Sequence, residues 1–506
     1  MRTSRGQIKA RLSQFFNFSE ENFAFGVPMS GQTKKDLYRF IYAVTIGLFF
    51  AVITGFPGTS PVYSAFLKNE LKVNNTLYAI FAALPYVLVI LQIPFAAHLR
   101  KKPRVKQYFI TFSLIARLNF AVLGILSFVL RDSHRVALIA ILLGLQALTS
   151  VVWWISDLCF SLWAGAACPI SCSGRFFSTR QLSFTLAQLV YSSVLTVLLA
   201  VLANHPAQYL ILFSLAALFG CLDIINFFFV TDPKIKPADI IKNEELQVLE
   251  AEAASRKNPR KRVKTASGPF ANKNYRNYLF FGILWYFGIF LMAPFTNVFM
   301  LEQLLIPTSR QTLYVSLLPG IATVLFVRKT GMISDRFGYR NSLLFFSSIS
   351  ALSPLLWLLV TPQTEALIGV INLLWGITGV ATDLAMFSMG IYLAPAEDRT
   401  SYLSAKSVAM NLLGVAPAIL LGGVIMDKLR PILATADLAF IGGQRFLPFH
   451  FIAIISALLR FIAIFSFARR IKQDNEQDFK GFLKKLGQGT RFRFRLRSGL
   501  LNSKRK

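Results

Sequence analysis

Long apolar stretches recur along this sequence, and they limit its possible folds more than any other feature. Hydrophobic residues make up 54% of the chain and charged residues 15%, whereas a typical soluble protein has about 25% charged residues. A helix needs about 20 mainly apolar residues to cross a bilayer. Only helices and closed barrels satisfy all their backbone hydrogen bonds there. The sequence therefore predicts an all-α membrane protein with about twelve transmembrane helices.

The predicted spans form two sets of six. The first set occupies residues 38–230 and the second set residues 275–470, with a charged linker at 231–274 between them. Residues 1–37 are a polar N-terminal segment with an amphipathic helix, and residues 471–506 are a basic tail. In chain order, spans 1 to 12 are predicted at 38–66, 75–98, 107–130, 136–165, 180–203, 208–230, 275–301, 311–328, 342–361, 364–394, 402–426 and 447–468.

Basic residues are concentrated in alternate loops. With both termini inside, the inner segments hold 44 of the 54 lysines and arginines, and the outer loops hold 8. Such a bias sets the orientation of a membrane protein. We therefore expect a multi-pass protein of the cytoplasmic (inner) membrane with both termini in the cytoplasm. The net charge of +30 has this origin, so it does not indicate nucleic acid. The basic ends are expected to contact anionic lipids, with a solvated disordered tail as the alternative.

An internal repeat links the two sets of spans. Four matches share an offset of 226 residues: Asp157 and Asp383, Leu158 and Leu384, Pro169 and Pro395, and Arg180 and Lys406. The aspartates lie in spans 4 and 10, and the bases begin spans 5 and 11. Matches at one spacing in equivalent places indicate two related halves, an arrangement that many transporters share.

A short polar motif follows span 8. It reads G-x-x-x-D-R-x-G-x-R, and its defined positions are Gly331, Asp335, Arg336, Gly338 and Arg340. With the six-plus-six plan, it resembles the cytoplasmic loop signature of the Major Facilitator Superfamily over about residues 38–470. The resemblance implies two six-helix bundles in one chain, a monomer, and a central cavity that opens to each side in turn. The equivalent first-half loop, from His98, lacks the glycine and the acid.

We expect the motif to form a gate on the cytoplasmic side. Asp335 can face a helix N-terminus, where a carboxylate is stabilised by about 0.3–1 kcal/mol. Arg336 and Arg340 can pair with Glu397 and Asp398 between spans 10 and 11. These pairs would hold the inner side closed and break when it opens. The alternative is plain anchoring by positive charge.

Five ionisable residues fall deep within spans: Arg117, Asp157, Asp223, Asp383 and Arg460. Each costs at least about 2.5 kcal/mol there when unpaired, so each is a functional candidate. By depth, Arg117 can pair with Asp157 or Asp223, and Arg460 with Asp383. By the family resemblance, Arg117 and Asp223 would form a structural pair, and Asp157 and Asp383 would face the cavity.

The candidate ligands for a substrate or cation are Asp157, Asp383, Trp153, Arg180, Lys406 and Asn297. Trp153 can stack on a ring, the two bases can bind an anion, and Asn297 follows a helix-softening proline in span 7. Structural ion pairing, packing and snorkelling are the alternatives. The Asp157-to-Arg180 arrangement also looks like that of the melibiose-type sugar:cation symporters, although span 2 lacks that branch's acids.

These features predict a secondary active transporter of a small organic solute, coupled to protons or a monovalent cation. The alternatives are a non-transporting sensor or partner platform, and a membrane-embedded lipid-modifying enzyme. The chain has four histidines, scattered over loops and span ends, and four cysteines without zinc spacing. We therefore expect no catalytic residue, no metal and no cofactor.

Overall fold

The computed structural model describes residues 23–24, 27–55, 60–101, 104–130, 135–168, 173–203, 205–232, 269–395, 399–436 and 445–473. The described part begins with two antiparallel strands, β1 (Phe23–Ala24) and β2 (Val27–Pro28). All longer elements described are helical. Twelve described segments are long and apolar enough to cross a membrane, which confirms the predicted all-α fold.

The twelve spans are Gly31–Thr54, Asn75–Ala96, Val105–Val129, Val136–Ala164, Thr179–Val201, Gln208–Phe228, Lys273–Glu302, Thr308–Val327, Tyr339–Leu359, Ala366–Leu393, Ala405–Thr435 and Pro448–Arg470. Helices extend beyond several of these apolar segments, as in Gln92–Lys101, Arg135–Ala167, Ser173–Val201, Leu318–Phe337, Arg399–Ala409 and Ala416–Ala436. Short α-helices occupy Pro61–Ala65 and Thr308–Thr312, and π-helical segments occupy Phe66–Glu70, Leu313–Leu317 and Met410–Val415. Short 3-10 turns lie at Val89–Leu91, Trp357–Leu359, Pro362–Thr364 and Ala468–Arg470.

The first span differs from its predicted limits of 38–66. Its helix begins earlier, at Gly31, because Ser30 caps it by accepting a hydrogen bond from the Thr33 N–H at 3.1 Å. The same helix ends at Thr54, and a new helix begins at Pro61. Proline is well suited to the first turn of a helix but interrupts its interior, so one long predicted span becomes two helices.

The apolar core is continuous across both sets of spans on one side of the protein and divided on the other. One cluster of buried residues includes Phe49 and Phe213 of the first set together with Leu291 and Phe449 of the second. A second cluster belongs to the first set alone, and a third, near Arg340, to the second set alone. We call the divided side, which carries Arg340, the motif side, and the other the far side. Among the described residues, buried apolar side chains of the two sets therefore form one cluster on the far side and separate clusters on the motif side.

Asp427 of span 11 holds the N-terminus of span 2 on the far side. Its carboxylate accepts hydrogen bonds from Asn75 N (3.1 Å), Asn75 Nδ2 (2.9 Å), Thr76 N (2.7 Å) and Thr76 Oγ1 (2.6 Å). Free N–H groups and the helix dipole favour a carboxylate at this position. One acid of the second set thus satisfies the first turn of a helix in the first set.

Lys68 adds an ionic contact beside Asp427. Its Nζ lies 3.1 Å from Glu302 Oε1 at the end of span 7 and donates to Asn75 Oδ1 at 2.6 Å. Burial lowers the pKa of Lys68, and the Glu302 carboxylate opposes that shift. We call Lys68, Asn75, Thr76, Glu302 and Asp427 the far-side clasp. It consists of charge-assisted hydrogen bonds, which are stronger than neutral ones.

Spans 2 and 11 approach closely because Gly423 has no side chain. A Cβ atom at Gly423 would lie 2.4 Å from Ala79 Cβ and 2.7 Å from the Asn75 carbonyl oxygen. Small residues permit such close packing between membrane helices. The clasp therefore depends on a glycine one turn before Asp427.

We predict that Gly423→Ala destabilises the protein by about 1–3 kcal/mol, because the added methyl group overpacks the contact between spans 2 and 11. The measurement is the thermal unfolding midpoint of the purified protein in detergent. Gly144→Ala is the matched control, since a Cβ at Gly144 meets nothing within 4 Å. Equal midpoints for the two variants would show that the close approach is not required.

We predict that Asp427→Ala opens the far side more often, by about tenfold, because hydrogen bonds to a charged group contribute about 1.5–3 kcal/mol. A Thr296→Cys reporter in a background without native cysteines would be labelled by an impermeant maleimide applied to the far side. Lys428→Ala, which removes the exposed neighbouring charge, should leave labelling unchanged. Unchanged labelling in Asp427→Ala as well would exclude a closing role for Asp427.

Candidate functional site

An acid and a base share a cavity in the first set of spans. Asp157 of span 4 and Arg180 of span 5 line a cavity of about 290 Å³ and interact electrostatically. The Arg180 guanidinium carbon lies 4.7 Å from the centre of the Phe160 ring. Asp157 is exposed, so its carboxylate is available to a solute or an ion.

The second set repeats this arrangement. Asp383 of span 10 is exposed and interacts electrostatically with Lys406 of span 11. It also accepts a hydrogen bond from Tyr286 Oη of span 7 at 3.3 Å. Lys406 Nζ lies 5.7 Å from the centre of the Phe387 ring. Each set therefore contains what we call an acid–base unit: an aspartate, a base on the next span, and an aromatic ring one turn after the aspartate.

Arg117 pairs with Asp223 and not with Asp157. Its Nη2 donates to Asp223 Oδ2 at 2.8 Å, its Nε to the Gly220 carbonyl oxygen at 2.8 Å, and its Nη1 to the Ser113 carbonyl oxygen at 3.1 Å. Span 1 makes room with Gly47, where a Cβ would lie 1.9 Å from Asp223 Oδ2. The pair fastens spans 3 and 6 in the interior, while Asp157 faces Arg180.

Arg460 does not form the ion pair that the sequence predicts with any described acid. It donates instead to the Ser350 carbonyl oxygen at 3.2 Å and to Ser353 Oγ at 3.5 Å. Its guanidinium carbon lies 5.8 Å from the centre of the Trp285 ring and 5.9 Å from that of Trp375. The expected partner, Asp383, is engaged by Tyr286 and Lys406.

Asn297 and Trp153 lie in different cavities. Asn297 is buried and lines a cavity of about 280 Å³ in the second set, together with Arg460. Trp153 lines the cavity of Asp157 and stacks on Phe50 at 6.5 Å between ring centres. The predicted ligands are thus distributed over both sets of spans.

The polar motif ends the helix of span 8 and contacts the end of span 12. Gly338 has a φ of +93°, which L residues rarely adopt, whereas a Cβ at Gly331 would meet Leu384 at 3.9 Å. Arg340 Nη2 donates to the Arg469 carbonyl oxygen at 2.8 Å, and its N–H donates to Gln473 Oε1 at 3.0 Å. The side chains of Asp335 and Arg336, and the residues Glu397 and Asp398, lie outside the described part. Their pairing stays a prediction.

The sequence does not predict the far-side clasp. Lys68, Glu302 and Asp427 stand at the ends of spans, where charges are ordinary. The repeated Thr-Leu-Tyr that begins spans 2 and 8, at Thr76 and Thr312, was an available signal. At Thr76 the repeat marks the helix N-terminus that Asp427 binds, but sequence spacing does not indicate which acid reaches it.

We predict that Asp223→Asn destabilises the protein by about 3–5 kcal/mol, because it leaves the buried Arg117 charge uncompensated. The double variant Arg117→Leu/Asp223→Leu removes both charges and should recover most of that loss. The measurement is the yield of folded protein and its thermal unfolding midpoint. A double variant no more stable than Asp223→Asn would mean that the interior requires these polar groups for another reason.

Comparison with known proteins adds independent information on the fold. The family model of the Major Facilitator Superfamily matches residues 44–416. A D-xylose-proton symporter is 13% identical, with a TM-score of 0.62 over 87% of this chain and 98% of the other. A POT family transporter in complex with a thioalcohol-conjugated peptide is 13% identical, with a TM-score of 0.59 over 91% and 100%.

A bacterial homologue of the iron transporter ferroportin, in an inward-facing state, is 12% identical, with a TM-score of 0.60 over 87% of this chain and 98% of the other. At such low identities these likenesses establish the fold alone. A comparison with the curated proteins found no match. Since the family model matches more than half of the sequence, this multi-pass membrane protein belongs to the Major Facilitator Superfamily.

Proposed function

We propose that this chain is a secondary active transporter that moves a small organic solute across the cytoplasmic (inner) membrane by alternating access. The observation that carries the proposal is the divided core: in the part of the chain that the structure describes, the buried apolar residues of the two sets form one cluster on the far side and separate clusters on the motif side. A carrier that works by alternating access needs a state open to one side. The clasp stabilises such a state.

The motif side is cytoplasmic in this proposal, as are both termini, because basic residues concentrate in those loops. The described structure is then the inward-open state. The bundles at 38–230 and 275–470 would rock about the solute, with the linker at 231–274 on the cytoplasmic side. Asp335, Arg336 and Arg340 would close that side through Glu397 and Asp398 before the clasp releases, so that the cavity is never open to both sides.

The two acid–base units supply the coupling. Intramembrane acids are often proton or cation sites, and Asp157 and Asp383 are both exposed in this state. When a proton or a monovalent cation binds the carboxylate, the neighbouring Arg180 or Lys406 is released from its electrostatic partner. This exchange links the charge of each unit to the packing of the spans around it.

We predict that Asp157→Asn/Asp383→Asn lowers gradient-driven solute flux at least tenfold, because the amides cannot take up a proton or replace a carboxylate. Everted and right-side-out vesicles would be screened with sugars, amino acids, nucleosides and organic ions, with and without an imposed proton gradient. Glu365→Gln, which alters the exposed pair with Arg310 at the far side, is the matched control and should retain flux.

Two results would contradict this proposal in different ways. Full flux in the double variant would exclude coupling through the aspartates and leave transport itself intact. Absence of flux for every solute class, with folded protein in the membrane, would favour a sensor or partner platform, or a lipid-modifying enzyme.

A further inference from the structure

Arg460 is a buried cation whose charge no described acid balances. Its side chain belongs to span 12, and the residue is 4% exposed. Its hydrogen-bond acceptors are the Ser350 carbonyl oxygen and Ser353 Oγ, which are both neutral. Its Nε is buried and has no hydrogen-bond partner in the part of the chain that the structure describes. A buried charge without a counterion is expensive, so proteins normally pair it.

The first set of spans shows how such a charge is ordinarily accommodated. Arg117 is also buried in its span, but its guanidinium meets the Asp223 carboxylate at 2.8 Å and two carbonyl oxygens. At Arg460 the aromatic rings of Trp285 and Trp375 provide the remaining favourable contacts. Rings attract a guanidinium but do not neutralise its charge. In the described part of the second set, no negative group takes the place beside Arg460 that Asp223 has beside Arg117.

A cavity lies at this position. Arg460 lines a space of about 280 Å³ bounded by spans 7, 8, 9, 10 and 12. Its polar walls include Thr296, Asn297 and Asn372, and its apolar walls include Trp357 and Trp375. One molecule of liquid water takes up about 30 Å³, so the space is large enough for a small organic anion.

We propose that Arg460 binds the anionic oxygen group, a carboxylate or a phosphate, of a small organic solute in this cavity. The guanidinium matches either group with two parallel hydrogen bonds. Asn372 Nδ2 donates one hydrogen to the Ile368 carbonyl oxygen at 2.9 Å and has a second hydrogen to offer, and the tryptophans hold the carbon skeleton. The bound solute then provides the counterion that no described acid gives Arg460. This proposal deepens the proposed function, on which it rests, by naming the class of solute.

The test measures binding separately from flux. The thermal unfolding midpoint of the purified full-length protein in detergent would be followed with acetate, glycerol 3-phosphate, inorganic phosphate and neutral glycerol at constant ionic strength. We expect at least one anion to raise the midpoint by several degrees and glycerol to have no effect. Comparison of acetate with the two phosphates identifies the preferred group. No anion-specific rise in the wild-type protein would overturn the proposal.

Two variants connect binding to Arg460. Arg460→Gln should weaken the apparent affinity at least tenfold. Ser353→Asp keeps Arg460 and places a carboxylate beside it, so it should raise the midpoint of the empty protein and abolish the anion response. Ser353→Asp is expected to fold, so the proposal can still be tested if Arg460→Gln does not fold. Arg310→Gln, on an exposed arginine, should bind as the wild type does. An undiminished anion response in Ser353→Asp would overturn the proposal.

The outcomes distinguish this proposal from the proposed function. Arg460-dependent anion binding without flux of any solute class in vesicles would support the anion site and contradict transport. Flux of neutral or cationic solutes that survives Arg460→Gln would support transport and overturn the anion site.

Discussion

The Asp427 carboxylate links span 11 of the second set to the first turn of span 2 in the first set. It joins the two sets of spans where the free N–H groups of Asn75 and Thr76 require an acceptor. Gly423 brings the helices close enough, and Lys68 with Glu302 adds a second link. On the motif side, by contrast, the described apolar residues of the two sets form separate clusters. Asp157 and Asp383 are both exposed in this arrangement of the two sets.

The two halves share one arrangement of helices but differ in the groups that surround a buried arginine. Both retain an aspartate, a base and an aromatic ring at equivalent places on adjoining spans. The first half neutralises its deep arginine internally, through Asp223. The second half surrounds Arg460 with serines and tryptophans beside a cavity. We infer that the repeat provides the scaffold and that the departure from symmetry provides the chemistry specific to this chain.

The sequence predicts those features of the fold and the site that depend on local composition or on regular spacing along the chain. Apolar length predicted the spans, and the 226-residue offset led to the two acid–base units, because equivalent positions in repeated helices occupy equivalent places. Depth alone left Arg117 with two possible partners. The rotation of each helix about its own axis decides between Asp157 and Asp223. The space that Gly47 leaves for Asp223 is visible only in three dimensions. Depth in the membrane predicts Asp383 as the partner of Arg460, and the structure shows otherwise. Depth takes no account of Tyr286 and Lys406, which already engage Asp383. The clasp joins residues more than 350 positions apart, which sequence spacing cannot reveal.

Under the proposed alternating access, the continuous core on the far side has an energetic consequence for the state that is open to that side. Opening that side would expose apolar surface to water, and closing the motif side would bury surface that now lies between two separate clusters. The two areas must nearly balance, since about 40 Å² of apolar surface is worth about 1 kcal/mol and changes a two-state ratio about fivefold. Under that proposal, a single enlarged or truncated side chain in these apolar clusters is enough to shift the ratio of the two states, even when it touches neither solute nor ion.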